Sequence, residues 1–289
     1  MEVESKFITQ AYEELTNCKV EKEGDKPNVS IIYFTSNALY YPNDDKTVYE
    51  RIFVDDRYEF RHYRRPSLPG EIKQEIFVRD VYKQWYILGI NKEINTVEAL
   101  ADYLKQLTKG TRVITVGSSA GGFAACLFGM LVGAEQIFTF SGQYDVTGSI
   151  NPGNEVLWEY QDNPNYNQYF SIVNRLKDNT VPVFYFYPSG IDKDLQQNKL
   201  VKGIPCIHRF CIQSNEHGRT IYDQNIPFVL AMSPEHLCKL EQKYSGQIIS
   251  PLRFSAENMK PSVTARAFLY NSTKTAVHVM RKLKRKLHH

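Results

Sequence analysis

The sequence predicts an α/β fold, a mostly parallel central sheet flanked by helices. Three observations carry that prediction. β-branched and aromatic runs of five to seven residues alternate with segments of helical periodicity. One of these runs passes through a Gly/Ser turn directly into an apolar helical stretch. The chain of 289 residues, 42% hydrophobic and 23% charged, is long enough for one large core with a small appended unit.

The elements follow in order. Asn28 to Phe34 (NVSIIYF) sits between Pro27 and the polar Thr35-Ser36-Asn37 and reads as a buried strand. Val48 to Arg61 is strand-like but heavily charged and runs into the loop RYEFRHYRRPSLPG. Trp85 to Ile90 is a second apolar run. Asn95 offers an N-cap with Glu98 three residues on, and Leu100, Leu104 and Leu107 keep helical spacing, so Val97 to Leu107 is an amphipathic helix ended near Gly110. Arg112 to Val116 (RVITV) is a strand, and Phe123 to Val132 fits a buried helix. Gln136 to Phe140, Val181 to Tyr187 and Ile207 to Ile212 are further strands. Residues 1–146 and 180–262 therefore form the core. Residues 147–179, long, polar and rich in Asn and Tyr, break the alternation and read as a cap insertion. Residues 263–289 read as a C-terminal basic amphipathic helix, with Val279, Leu283 and Leu287 recurring every four residues among Arg and Lys.

Composition removes several classes of function. A net charge of +3, much of it between Arg281 and Lys286, is too small to imply a nucleic-acid partner. Five cysteines, an odd number without CxxC or metal-like spacing, point to a reducing compartment and to no metal site. The acidic start MEVESKFITQAYEEL has no apolar signal region, and no apolar run approaches the ~20 residues of a membrane span. The expectation is a cytoplasmic protein, with its basic tail touching the inner face of a membrane.

The chemistry concentrates at Gly117-Ser118-Ser119-Ala120-Gly121, which satisfies G-x-S-x-G, with Gly122 extending it. A strained strand-to-helix turn needs small residues around the nucleophile so that backbones can approach. RVITV before it and an apolar helix after it supply that context, and Ser119 is the candidate nucleophile.

This constellation resembles the α/β-hydrolase superfamily, in which the elbow follows the fifth strand and the triad runs Ser, acid, His. The resemblance covers roughly residues 28 to 235. It implies an acid just past the second strand after the elbow and a histidine past the next. PSGIDKD, after VPVFYFY, supplies Asp192 and Asp194; QSNEHGR, after IHRFCI, supplies His217. His217 is the expected base, ahead of His208 within a strand and His236 within a later helix. Asp192, first in its loop, is the expected acid, with Asp194 and Asp145 as alternatives. His217 would take the Ser119 proton during attack on an ester carbonyl while the acid orients the imidazole. The oxyanion would be held by the backbone N–H of Ala120 and by a donor from Thr35 or Ser36.

Residue types around these positions suggest what is acylated. Arg57, Arg61, His62, Arg64 and Arg65 form a basic cluster able to meet an anionic acceptor or the phosphates of CoA, or else one neutralised by Asp55, Asp56 and Glu59. Arg219, directly after His217-Gly218, is placed to meet substrate charge. Trp158, Tyr160, Tyr166, Tyr169 and Phe170 offer flat faces for sugars or packing for the cap. In overall style (a bare elbow, a short Asn/Tyr-rich cap, a basic tail) the chain also resembles α/β-hydrolase-fold O-acetyltransferases of bacterial surface-polysaccharide clusters. That resemblance implies acetyl-CoA as acyl donor, no resident cofactor, and a carbohydrate or small ester as substrate. The competing reading is a non-catalytic subunit of a glycan-assembly or secretion complex.

Overall fold

The computed structural model describes residues 5–22, 28–61, 72–150 and 155–273. Helix α1 (Lys6–Glu14) leads into the edge strand β1 (Cys18–Lys22), followed by β2 (Val29–Phe34). All six residues of β2 are buried because both faces of the sheet are covered. Its side chains divide with period two, Ile32 and Phe34 joining one core, Ile31 and Tyr33 the other.

The segment expected to be strand-like from Val48 to Arg61 is instead helical as far as Val54 and irregular from Asp55 to Arg61. It contains α2 (Asp45–Tyr49) and a wider π-helical turn (Glu50–Val54). The physical reason is local. The Asp44 carboxylate caps α2 by accepting the Thr47 N–H at 2.9 Å, and Arg51 pairs with Asp55 one turn on at 2.7 Å.

Strand β3 (Ile72–Val78) follows, then a turn region containing the apolar run 85–90, then α3 (Val97–Leu107). The cap of α3 is Thr96 rather than Asn95, with the Thr96 hydroxyl accepting the Ala99 N–H at 3.1 Å. Strand β4 (Arg112–Ser118) turns sharply into α4 (Ala120–Val132), and β5 (Gln136–Phe140) comes next.

The insertion carries the short helices α5 (Glu155–Trp158), α6 (Pro164–Asn167) and α7 (Val173–Lys177). Its buried side chains Leu157, Tyr169, Phe170, Ile172 and Leu176 join the core formed by α3 and α4, and the Tyr169 hydroxyl donates to Glu98 on α3. Strand β6 (Val183–Pro188), helix α8 (Asp192–Val201) and strand β7 (Ile207–Ile212) continue the alternation. Helices α9 (Ile226–Leu230), α10 (Pro234–Tyr244) and α11 (Pro251–Asn258) cover the opposite face, and strand β8 (Ile248–Ile249) extends the sheet beside β7. Residues 261–273 are helical; the basic tail from 274 onward lies outside the described residues.

The strand order is β1-β3-β2-β4-β5-β6-β7-β8, with β1 antiparallel and all other pairs parallel. This is an α/β-hydrolase fold, with the elbow after the fourth described strand rather than the fifth. The charged β3 and the edge strands β1 and β8 were not evident from periodicity. The parallel register sends every loop after β2 through β7 to one edge of the sheet, where ligands bind in folds of this kind. Among the described residues, no helix is long and apolar enough to cross a membrane.

Candidate active site

Ser119 occupies the one-residue hinge between β4 and α4, at φ 55° and ψ −120°, a conformation that L-residues rarely adopt. Its N–H is tied to the Phe140 carbonyl at 2.9 Å, which fixes the hinge to β5. The surrounding glycines are sterically required. A Cβ on Gly117 would lie 1.9 Å from the Gly121 carbonyl oxygen, and one on Gly121 would lie 2.2 Å from the Phe34 carbonyl oxygen. The same close approach brings the loop after β2 against the elbow.

His217 follows β7 and reaches the hinge. Its Nε2 lies 2.8 Å from Ser119 Oγ, and its Nδ1 lies 2.8 Å from Asp194 Oδ2. A carboxylate only accepts, so Nδ1 carries the hydrogen and Nε2 presents its lone pair to the serine hydroxyl. The imidazole is exposed, whereas Asp194 is only 2% accessible.

Asp192, the expected acid, does not reach His217. It is the first residue of α8 and points to solvent, while Asp194 lies two residues further along on the inner side of the helix with Val201. A signal for this exists in the sequence: Asp194 and Val201 are seven apart, so a helix beginning at Asp192 turns both inward. Asp145 is occupied elsewhere, accepting the N–H of Thr147 at 2.9 Å. His208 lies within β7 beside Cys238, 3.4 Å away, and His236 lies on α10.

Two contacts align the loops that carry Asp194 and His217. Gly190 donates its N–H to the Ser214 carbonyl at 3.0 Å, docking the β6 loop onto the β7 loop. Ser141, itself at φ 49°, uses its hydroxyl to bridge Gly218, donating to the carbonyl at 2.9 Å and accepting the N–H at 3.0 Å. Neither role was apparent from residue type.

The expected oxyanion donors separate. The Ala120 N–H opens α4, where it has no acceptor within the helix, and stands directly after Ser119. The Thr35 N–H is committed to the Val78 carbonyl at 3.0 Å, because the pairing of β2 with β3 runs one residue past the strand. Ser36 donates its N–H to Glu59 Oε2 at 3.1 Å and its hydroxyl to Glu59 Oε1 at 2.9 Å. An internal carboxylate therefore already takes both of its donors.

The anion-binding expectations are partly neutralised. Arg61 pairs with Glu21 at 2.7 Å, and Asp56 gathers Lys19, Arg61 and Arg79. His62, Arg64 and Arg65 lie outside the described residues. Arg219 pairs with Asp223 at 2.8 Å and lies 5.6 Å above the Phe60 ring. Trp158 is exposed on α5. Among the described residues, no group of three His, Cys, Asp or Glu side chains is arranged to hold a metal ion, and all five cysteines are free.

No protein-family model matches the sequence. No curated protein matches it either. Solved structures do. The chain is similar to the capsule O-acetyltransferase of Neisseria meningitidis serogroup A, at 13% identity and TM-score 0.47 over 79% of this chain and 93% of that one. It is similar to MenH from S. aureus, at 11% identity and TM-score 0.43 over 79% of this chain and 100% of that one. It is also similar to a proline iminopeptidase of Mycobacterium smegmatis, at 11% identity and TM-score 0.40 over 78% of this chain and 95% of that one.

Proposed function

We propose that the protein is a serine acyl-transfer enzyme, an esterase or O-acyltransferase that works through an acyl-enzyme on Ser119. The observation that carries this reading is the unbroken chain Asp194–His217–Ser119, with both hydrogen bonds at 2.8 Å, ending on a serine in a strained strand-to-helix hinge. In this reading Ser119 Oγ attacks an acyl carbonyl and passes its proton to His217 Nε2. The leaving alcohol or thiol takes that proton as the tetrahedral intermediate collapses. Asp194 holds the Nδ1–H tautomer and stabilises the imidazolium, and the Ala120 N–H receives the oxyanion. Water or an acceptor hydroxyl, deprotonated by the same His217, then releases the acyl group.

The finer reading is acetyl transfer to a carbohydrate hydroxyl, with acetyl-CoA as donor. It is supported by the exposed Trp158 and by the half-buried rings of Tyr160 and Tyr166, packed 4.5 Å apart on the insertion.

Incubation with a fluorophosphonate probe tests the core claim. Mass spectrometry should find the label on Ser119 and none on the Ser119→Ala variant. A folded protein that takes no label would favour a non-catalytic subunit. Turnover of p-nitrophenyl acetate with and without sugar acceptors then separates hydrolysis from transfer.

A further inference from the structure

The turn after β3 contains a concentration of backbone strain that the proposed chemistry does not use. Lys83, Trp85 and Tyr86 have φ values of 56°, 59° and 62°, so three non-glycine residues out of four adopt left-handed backbone. Such conformations persist only where their surroundings over-determine them. Here the determinant is Asp80, a carboxylate 4% accessible to solvent. Its Oδ2 accepts the Gln84 N–H at 2.7 Å and the Tyr86 N–H at 3.0 Å, and its Oδ1 accepts the Gln84 side-chain amide at 3.2 Å. Gln84 in turn accepts the Leu88 N–H at 2.6 Å, which closes the turn.

The strained residues reach both sides of the nucleophile. Tyr86, fully buried, directs its hydroxyl at the Thr35 carbonyl, 2.9 Å away, in the loop after β2. Trp85 donates its indole N–H to Gln143 Oε1 at 2.7 Å, in the loop after β5. Since β2 and β4 lie between β3 and β5 in the sheet, that bond spans the edge where Ser119 stands. Gly142, next to Gln143, is packed so tightly on the elbow that a Cβ on Gly122 would approach its Cα to 2.8 Å.

We propose that Asp80 is a positioning residue of the catalytic site, holding residues 83–86 so that Tyr86 and Trp85 brace the two loops flanking Ser119. The proposal rests on the serine acyl-transfer reading for its effect on rate, but not for its effect on Trp85. Burial pushes the Asp80 carboxyl up to about 6, despite the N–H groups that favour its ionised form. The groups facing it are Lys83, Tyr82 and Tyr86 from its own turn, Tyr12 from α1 and Tyr40 from the loop after β2. Lys83 is the one cation among these, and its ammonium is turned to Asn43 Oδ1 at 2.5 Å and to the Tyr40 ring. Protonation of Asp80 places a hydrogen on Oδ1, the oxygen that faces the Gln84 amide, and removes that contact.

The sequence holds two tryptophans, so a Trp158→Phe background leaves Trp85 as the sole indole reporter. In that background Asp80→Ala should shift Trp85 emission to longer wavelength and reduce kcat on p-nitrophenyl acetate tenfold or more, with KM changed less than threefold. Asp80→Asn keeps an acceptor for the Gln84 and Tyr86 N–H groups but, like the protonated acid, none facing the Gln84 amide; it should hold kcat within threefold of the parent and emit as the parent does at acid pH. The parent's emission should titrate with a midpoint near 6, and that titration should be absent in Asp80→Asn. If Asp80→Ala does not fold, Gln143→Ala substitutes for it, releasing the indole without touching Asp80, and the same emission shift and a fall in kcat are expected. Unchanged emission, or shifted emission with unchanged kcat in an enzyme that labels at Ser119, overturns the brace. In a protein that does not label, the serine reading has failed and the emission arm alone decides whether Asp80 holds Trp85.

Discussion

Ser36 gives both of its donors to Glu59, the backbone N–H across 3.1 Å and the hydroxyl across 2.9 Å. The loop that carries Ser36 follows β2 directly and abuts the elbow at Gly121. A substrate oxyanion that used the Ser36 N–H would have to displace an anion already seated there. Removing that competitor should release the donor, and one preorganised donor is worth ~3 kcal/mol to an oxyanion in known cases. Glu59→Ala is therefore expected to raise kcat on p-nitrophenyl acetate by up to about 10²-fold, read from initial rates at saturating ester. A fall in kcat would mean instead that Glu59 holds the loop in its working shape.

The two carboxylates of α8 should behave oppositely. Asp194→Asn turns an obligate acceptor into a group that can favour the wrong His217 tautomer, and a loss of about 10⁴-fold in kcat is the precedent for that change. Asp192→Asn alters a solvent-facing residue and should leave kcat within about twofold, the range expected of surface substitutions. Steady-state kinetics of the two variants on one ester decides between them. A severe Asp192 variant with a mild Asp194 variant would reverse the assignment.

Part of the candidate site's geometry was legible in the sequence because a strained hinge leaves a strong mark. GSSAGG between a β-branched run and an apolar helix located Ser119, and the order of the later strands located His217. Asp194 rather than Asp192 meets His217, and the sequence did not separate the two because they occupy one loop-like string that only the inward turn of α8 resolves. Thr35 and Ser36 stand in the loop that abuts the elbow, but hydrogen bonds to Val78 and Glu59 take up their N–H donors. Strand β3 was hidden because Lys73, Gln74 and Glu75 interrupt its apolar residues, although all of it but Lys73 is buried once it pairs with β1 and β2. Ser141 meets Gly218 through a tertiary contact, for which no local pattern exists, and the Asp80 contacts to Gln84 and Tyr86 are local but belong to no recognised turn signature.

Gly121 meets a stringent packing demand. A Cβ there would sit 2.2 Å from the Phe34 carbonyl oxygen and 3.1 Å from the Thr35 carbonyl carbon, both backbone atoms that cannot rotate away. Gly121→Ala must push α4 off β2 or break the hinge, and overpacking of this kind costs about 1–3 kcal/mol or more. Urea unfolding of the variant should show that loss, together with a fall in activity. Gly133→Ala is the control for added bulk: a Cβ there meets nothing within 4 Å, although its φ of 68° carries the ordinary cost of left-handed backbone. It should lose stability with activity retained.

The buried Asp80 also sets a sign for stability against pH. In the fold its carboxyl is raised to about 6 by desolvation, whereas an unfolded aspartate titrates near about 4. Between those values the native state holds the proton that the unfolded chain has released. Stability from this group is therefore greatest below pH ~4 and falls as pH rises to ~6, flattening above it. A difference of about 2 pKa units corresponds to about 3 kcal/mol. Asp80→Asn cannot titrate, so the stability of the parent relative to this variant should decline by up to that amount between pH 4 and 7. Urea unfolding of both proteins at several pH values measures it, and the subtraction cancels every other titrating group they share. A parent that gains on the variant as pH rises would show that the three N–H contacts outweigh burial and hold the carboxyl below its unfolded value.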